Sequence, residues 1–176
     1  MSGVQKGLIV GAVQLLLVLS LAAKLRWDRA HLPRVWVKTV AYDPDLPIRG
    51  RYLSLRLEVD ASGVYAQNPI PKGMRPDFWR DMHEVELRAE NGKLVAHPTT
   101  RSSANSVVLS VRQNQEIAFV YAPVAFFLPE HATDPSRGRK TGEELWMEVT
   151  VPKEGPPRPI RLAINRPSGF EVLKLD

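Results

Sequence analysis

The sequence holds few side chains that could perform chemistry, and their types already exclude several kinds of site. Cysteine is absent from the 176 residues, which excludes disulfides, thiolate zinc sites and cysteine nucleophiles. The four histidines lie far apart and lack the spacing of paired metal ligands: His31, His83, His97 and His131. Because zinc sites need clustered nitrogen and sulfur donors, we expect no metal and no other cofactor.

Carboxylates offer a second kind of chemistry. The run Asp43-Pro44-Asp45 could be read as a paired acid and base. Two carboxylates around a proline are more typical of an Asx turn, in which the side chains accept hydrogen bonds from nearby backbone N–H groups. Glu130 and the pair Glu143-Glu144 pose the same choice, and an ion pair with an arginine would account for either of them. We therefore predict no catalytic carboxylate.

A serine hydrolase is the alternative kept open by the chain layout. An apolar N-terminal segment followed by a strand entry at Arg49-Gly50-Arg51 resembles membrane-anchored signal peptidases. In those enzymes the nucleophilic serine lies just before the strand, and here the stretch 43–48 contains none. Ser54 falls on the polar face of a regular strand, with no lysine clearly placed to act as its base.

The stretch Gly7–Ala23 is a candidate membrane segment. Its 17 residues carry no charge, and as a helix they would extend about 26 Å, near the lower limit for crossing a bilayer. Lys6 and Lys24 flank it, and Trp27 follows at a position typical of an interfacial ring. We predict a head at residues 1–6, an uncleaved anchor at 7–23 that contacts the lipid bilayer, and a basic juxtamembrane linker at 24–33. A cleaved signal peptide is the alternative.

The positive charge of the chain is confined to one region. The net charge is +5, yet residues 39–176 contain 18 basic and 18 acidic side chains. A nucleic-acid-binding protein spreads its cations over the docking face, so we expect no nucleic-acid partner. Of this excess, +4 lies in residues 24–38, directly after the apolar segment, and Lys6 supplies the remainder. Taken alone, this Lys and Arg count would keep the following domain in the cytoplasm.

From residue 34 to residue 176 the apolar pattern has a period of two. In Arg51–Val59, leucines alternate with polar residues, as in a strand with one buried face, and Asn91-Gly92 predicts a tight hairpin turn. Further predicted strands are Arg34–Tyr42, Glu84–Glu90, Lys93–His97, Ser106–Arg112, Glu116–Tyr121, Leu145–Val151, Pro159–Asn165 and Phe170–Leu175. Gly63–Arg80 and His131–Gly142 are predicted loops. We expect an all-β antiparallel sandwich or partly open barrel of about eight strands, preceded by one transmembrane helix.

Two blocks of this sequence resemble the GDYXXLXY family. The first block matches the family signature at Asp43, Pro44, Asp45, Arg49, Gly50, Tyr52 and Leu55, and it departs from the signature at Arg51 and Leu57. The second, Tyr121–Glu130 (YAPVAFFLPE), is similar in Phe126, Phe127, Pro129 and Glu130. The resemblance implies a membrane-anchored protein of unknown activity, often found beside multi-pass membrane proteins. It also implies the inner membrane, with the β domain outside the cytoplasm.

The motif residues are of types that shape and pack a chain. Pro44 and Gly50 suit a tight turn into the next strand, and Tyr52 would lie on its polar side, near Phe126, Phe127 and Pro129. Glu130 could pair with Arg49 or Arg51. We therefore expect a non-enzymatic accessory or interaction protein of the bacterial envelope that docks on a multi-pass membrane protein. Its predicted contact surface is the Gly63–Arg80 loop, which carries Tyr65, Phe78 and Trp79.

Overall fold

The computed structural model describes residues 2–42, 52–67, 69, 81–112, 115–136 and 139–175. Contacts divide the chain into two compact units, Met1–Leu32 and Pro33–Asp176. Each unit is described on its own below.

The first unit is a single α-helix, α1, at Gly3–His31. It begins at a capping box, in which Ser2 accepts from the backbone of Gln5 and the Gln5 side chain accepts from the Ser2 backbone. None of its residues is buried, and an 18-residue window has a mean hydropathy of 2.2. With 29 residues it is about 43 Å long, so it continues past the predicted end at Ala23. Within the described residues it is the one helix long and apolar enough to cross a membrane.

The described residues of the second unit form ten strands and one short helix. The strands are β1 (Arg34–Ala41), β2 (Tyr52–Val59), β3 (His83–Glu90), β4 (Lys93–Pro98), β5 (Ser106–Arg112), β6 (Gln115–Val120), β7 (Val124–Phe127), β8 (Glu144–Thr150), β9 (Arg158–Arg166) and β10 (Gly169–Val172). Nine of these were predicted from the sequence to within a few residues, whereas β7 was not. The helix α2 (Ser62–Gln67) includes the first residues of the stretch Gly63–Arg80, which was predicted to be a loop.

The strands form one antiparallel sheet that curls into a half-barrel. Nine strands follow the order β10-β9-β8-β1-β2-β6-β5-β3-β4, and β7 pairs with β2. Just after β2, Asp60 forms a parallel bridge with Val95 of β4, the last strand of that order. The backbone N–H of Asp60 donates to Leu94 at 3.0 Å, and that of Ala96 donates to Asp60 at 2.8 Å. The prediction of an all-β antiparallel fold is confirmed. Because the sheet curls into a half-barrel, it corresponds to the partly open barrel of that prediction.

Alternation along the strands determines which side chains form the core. In β2 the buried side chains are Leu53, Leu55, Leu57 and Val59, with polar or aromatic residues between them. The inward residues of β1, Val35 and Val37, meet Val149 and Met147 of β8 across the ladder. The opposite face of these strands is therefore free to carry other chemistry, and we call it the outer face.

Candidate functional site

The two motif blocks meet in the structure as one ladder between β2 and β7. Tyr52 lies opposite Phe127, and Leu53 lies opposite Phe126. Leu55 is fully buried and Phe126 packs against the core, whereas the side chain of Phe127 is 74% exposed. The two motif blocks thus contribute Leu53, Leu55 and Phe126 to the core and its edge. On the less buried side they contribute a pair of rings, Tyr52 and Phe127.

Several predicted site residues lie outside the described part of the chain. These are Asp43, Pro44, Asp45, Arg49, Gly50, Phe78 and Trp79, together with Arg51, the alternative partner for Glu130. Pro129 and Glu130 follow β7 in a turn in which the backbone N–H of Ala132 donates to the carbonyl of Pro129 at 3.1 Å. Glu130 is exposed there. Its proposed ion pair with Arg49 or Arg51 stays a prediction.

Tyr65 belongs to α2 and contacts the rest of the β unit. Its hydroxyl donates to the carbonyl of Asp81 at 2.9 Å, and its ring meets His83 edge-on at 5.4 Å. Burial of the phenol, followed by the negative charge of Asp81, raises the pKa of Tyr65 to about 12. Tyr65 therefore stabilises packing within the unit, and its use as a contact surface stays a prediction.

An arginine lies against tyrosine rings on the outer face of β2. The Arg56 guanidinium lies 3.9 Å from the ring centre of Tyr42 and 6.0 Å from that of Tyr121. The face of an aromatic ring attracts a cation, so these rings hold the guanidinium close to the sheet. Tyr121 is the first residue of the second motif block. Its contact with Arg56 is therefore a second connection between that block and β2, in addition to the β2–β7 ladder.

Three aromatic rings cluster on the outer face of β1, β8 and β10. Trp36 meets Phe170 edge-on at 4.9 Å, and Trp146 meets the same ring at 6.1 Å. Phe170 is 47% exposed, and the Arg161 guanidinium lies 5.5 Å from the Trp36 ring. Aromatic side chains gathered on a solvent-facing surface are typical of binding surfaces.

Ion pairs fix the position of these rings. Lys38 Nζ lies 2.7 Å from one carboxylate oxygen of Glu144, and the Trp146 indole N–H donates to the other at 3.1 Å. The lysine, followed by smaller contributions from Trp146 and Asn165, lowers the pKa of Glu144. On the same face, Arg161 donates to Glu148 at 2.7 Å. Trp146 is thus oriented by a carboxylate that already carries a counter-ion.

A groove opens where β1 separates from β2. The β1–β2 ladder covers only Thr39–Ala41 on the β1 side, whereas Glu58 pairs with Phe119 of β6. The space between β1 and the β3–β4 turn, about 550 Å³, is called the indole groove here. Its lining includes Trp36, Trp146, Lys38, Glu58, Asp60 and the turn Asn91-Gly92-Lys93. One carboxylate oxygen of Glu58, Oε2, is buried and accepts no hydrogen bond from the part of the chain that the structure describes.

A second groove, of about 590 Å³, shares Lys38 and Glu58 with the first. Its other charged side chains are Arg139, Lys140, Glu143 and Glu144. The backbone N–H of Lys140 donates to Glu143 at 3.0 Å, and this bond is the main cause that lowers the pKa of Glu143. The Glu143 and Glu144 carboxylates are therefore engaged within the chain, in agreement with an ion-pair role.

The sequence predictions missed the residues that line the indole groove. Trp36 and Glu58 could have been assigned to an outer face by alternation alone, since Val35, Val37, Leu57 and Val59 are the inward neighbours. The missing information was that the outer faces of β1 and β8 adjoin the β3–β4 turn.

A serine hydrolase requires a serine hydroxyl within hydrogen-bond distance of a lysine or histidine nitrogen. The Ser103 hydroxyl donates to the carbonyl of Val85 at 2.6 Å. Among the described residues, none of the hydroxyls of Ser54, Ser102, Ser103, Ser106 and Ser110 hydrogen-bonds a lysine or histidine nitrogen. Likewise, the described residues contain no group of three or more histidines and carboxylates placed to hold a metal ion. The hydrolase alternative therefore gains no support from this part of the chain.

Comparison with known proteins agrees with the two motif blocks. Residues 14–162 match the GDYXXLXY protein family. The chain belongs to this family. The match extends from within α1 to β9, and the function of the family is unknown. Neither a curated protein nor a solved structure matches the chain.

Proposed function

We propose that this GDYXXLXY protein is a membrane-anchored, non-enzymatic accessory protein of the bacterial envelope whose β unit docks on a multi-pass membrane protein. The observation that carries the proposal is the aromatic cluster of Trp36, Trp146 and Phe170 on the outer face of the sheet. A fold needs its inward residues to be apolar, but it gains little from aromatic rings on the solvent side. Such rings are enriched in interfaces, where they bury large areas.

The helix α1 supports the membrane part of the proposal. Its leucines and valines are exposed, with Leu8, Leu15, Leu16, Leu17 and Val18 each more than half exposed. Burying such side chains in lipid is favourable by about 25 cal/mol per Å² of apolar surface. The helix is also longer than the roughly 20 residues that a bilayer core requires.

The expected location is the inner membrane, with the β unit outside the cytoplasm. This orientation follows what the family resemblance implies, and the basic residues 24–38 favour the reverse. A protease added to intact spheroplasts distinguishes the two orientations. We expect the β unit to be digested without lysis; digestion only after lysis would reverse the orientation. The mass of the membrane-bound protein separates an uncleaved anchor from a cleaved signal peptide.

Photo-crosslinking tests the docking role. Benzoylphenylalanine replaces Phe170 in the aromatic cluster, and in a matched control it replaces Glu154, which is exposed elsewhere on the β unit. After irradiation of native membranes, we expect an adduct with an integral membrane protein from position 170 and none from position 154. Equal labelling from both positions, or no adduct at position 170, would contradict docking through this face.

A further inference from the structure

Glu58, which lines the indole groove, has one carboxylate oxygen to which no described residue donates a hydrogen bond. This oxygen, Oε2, is buried. A buried carboxylate oxygen without a donor costs free energy, because it has lost water and gained nothing in return. Because this oxygen is buried, a ligand in the groove would reach it once the Glu58 side chain turned towards the groove, and a donor there would recover that cost.

The other charges of the groove are already engaged within the chain. Lys38 is held by Glu144 at 2.7 Å. Asp60 accepts from the backbone of Ser62 at 3.1 Å; the hydrogen bonds from Ser62, with a smaller attraction from Lys93, lower the Asp60 pKa. The lining itself holds two carboxylates, Glu58 and Asp60, and two lysines, Lys38 and Lys93. Because Lys38 is held by Glu144 and Asp60 by Ser62, Glu58 is the lining carboxylate whose Oε2 receives no donor from the described residues.

The walls of the groove suit a positively charged side chain with an apolar stem. Trp36 and Trp146 supply indole faces, which attract cations more strongly than other aromatic rings do. The Arg161 guanidinium at 5.5 Å from the Trp36 ring shows that the chain itself uses an indole here in this way. The methylene stem of a lysine or arginine would also bury apolar surface against the rings.

We propose that the indole groove receives a lysine or arginine side chain of the membrane-protein partner, with Glu58 as its counter-ion and Trp36 and Trp146 as its walls. This inference rests on the proposed docking function, because the partner carries the basic residue. It names the chemistry of that contact: one cation paired with the Glu58 carboxylate, whose Oε2 receives no donor from the described residues.

Tryptophan fluorescence of the full-length protein in detergent tests the groove directly. The probes are Nα-acetyl-arginine methylamide and Nα-acetyl-lysine methylamide, and the neutral control is the citrulline analogue of the first. We expect saturable binding of at least one basic probe and none of the citrulline analogue. Equal responses to the arginine and citrulline probes, or no saturation by either basic probe, would overturn the inference.

Two carboxylate variants separate the groove from a general charge effect. Glu58→Gln neutralises the unused acceptor at nearly constant shape, and Glu116→Gln makes the same change on the exposed surface of β6. We expect Glu58→Gln to weaken the basic probe about tenfold or more and Glu116→Gln to leave its affinity unchanged. Because Glu58 Oε2 has no partner among the described residues and its burial as a carboxylate costs free energy, Glu58→Gln should keep or raise the melting temperature. Unchanged probe affinity in Glu58→Gln would refute the assignment.

The crosslinking experiment shows which proposal fails if one does. An adduct at position 170 that persists unchanged in Glu58→Gln would remove the groove inference and leave the docking function standing. Absence of any adduct, with Glu58-dependent binding of the basic probe, would retain the cation site and remove the docking function.

Discussion

The two faces of β2 differ in how completely the chain uses them. The inner face is uniform, since Leu53, Leu55, Leu57 and Val59 all point into the core. The outer face carries four side chains of different types, Tyr52, Ser54, Arg56 and Glu58. The inner face is explained by packing, whereas the outer face includes a ring pair, a guanidinium over tyrosines and a carboxylate oxygen that accepts from none of the described residues. Packing in the core therefore accounts for the inner face and does not account for the side chains of the outer face.

The largest expected effect on stability comes from truncating a buried side chain of the inner face. Leu55→Ala removes a fully buried side chain and should lower the free energy of unfolding by about 2–5 kcal/mol, because it loses buried apolar area and leaves a cavity. Its neighbour Ser54→Ala, on the outer face, should change stability by no more than about 0.5 kcal/mol. Denaturant unfolding of the detergent-solubilised protein measures both. Similar losses in the two variants would mean that the faces are not distinct.

A smaller effect is expected at Tyr65, where a polar group is packed like a core residue. Tyr65→Phe loses the hydrogen bond to Asp81 and should cost about 1 kcal/mol near neutral pH. The pKa of Tyr65 is raised to about 12 when folded, so the folded state retains the phenol proton longer than the unfolded chain does. Stability should therefore fall from about pH 10 towards pH 12, and this fall should be shallower in Tyr65→Phe. Unfolding curves at several alkaline pH values test this, and parallel curves for both proteins would contradict it.

The smallest effect is expected on the outer face, at Glu144. Glu144→Gln weakens the contact with Lys38, a partly exposed pair, and should cost only about 0.5 kcal/mol because solvent screens it. The pKa of Glu144 is lowered in the folded state, so its contribution is present above the unfolded pKa and is lost as the pH falls through the folded value. Urea unfolding at neutral and acidic pH should show a wild-type advantage at neutral pH alone. An advantage that persists in acid would assign Glu144 another role.

Much of the fold follows from local pattern. Alternation predicts β2, and the Asn91-Gly92 turn has positive φ at both residues, 49° and 74°, as a tight hairpin requires. By contrast, β7 has four residues between Pro123 and Pro129, which is too short for a periodic signal. Its strand conformation depends on pairing with β2. The helix α2 is similarly short and depends on the burial of Val64.

The candidate site could be predicted only in part. Alternation assigns Trp36 and Trp146 to outer faces, but their proximity depends on the β1–β8 register, in which Trp36 lies opposite Glu148. That register is set by tertiary packing between segments far apart in sequence. The family motif directed attention to Tyr52 and Phe127 instead, since a motif marks what relatives share and does not mark an unused acceptor such as Glu58 Oε2.

The bridge between Asp60 and Val95 makes the two ends of the strand order different. One end of the strand order, β4, is joined back onto the chain after β2, while at the other end β10 has β9 as its one strand neighbour among the described residues. The outer edge of β10, beside Phe170 and Val172, is therefore a place where a strand supplied by another molecule could add. Growth of the sheet at this edge would carry the aromatic surface outward with it.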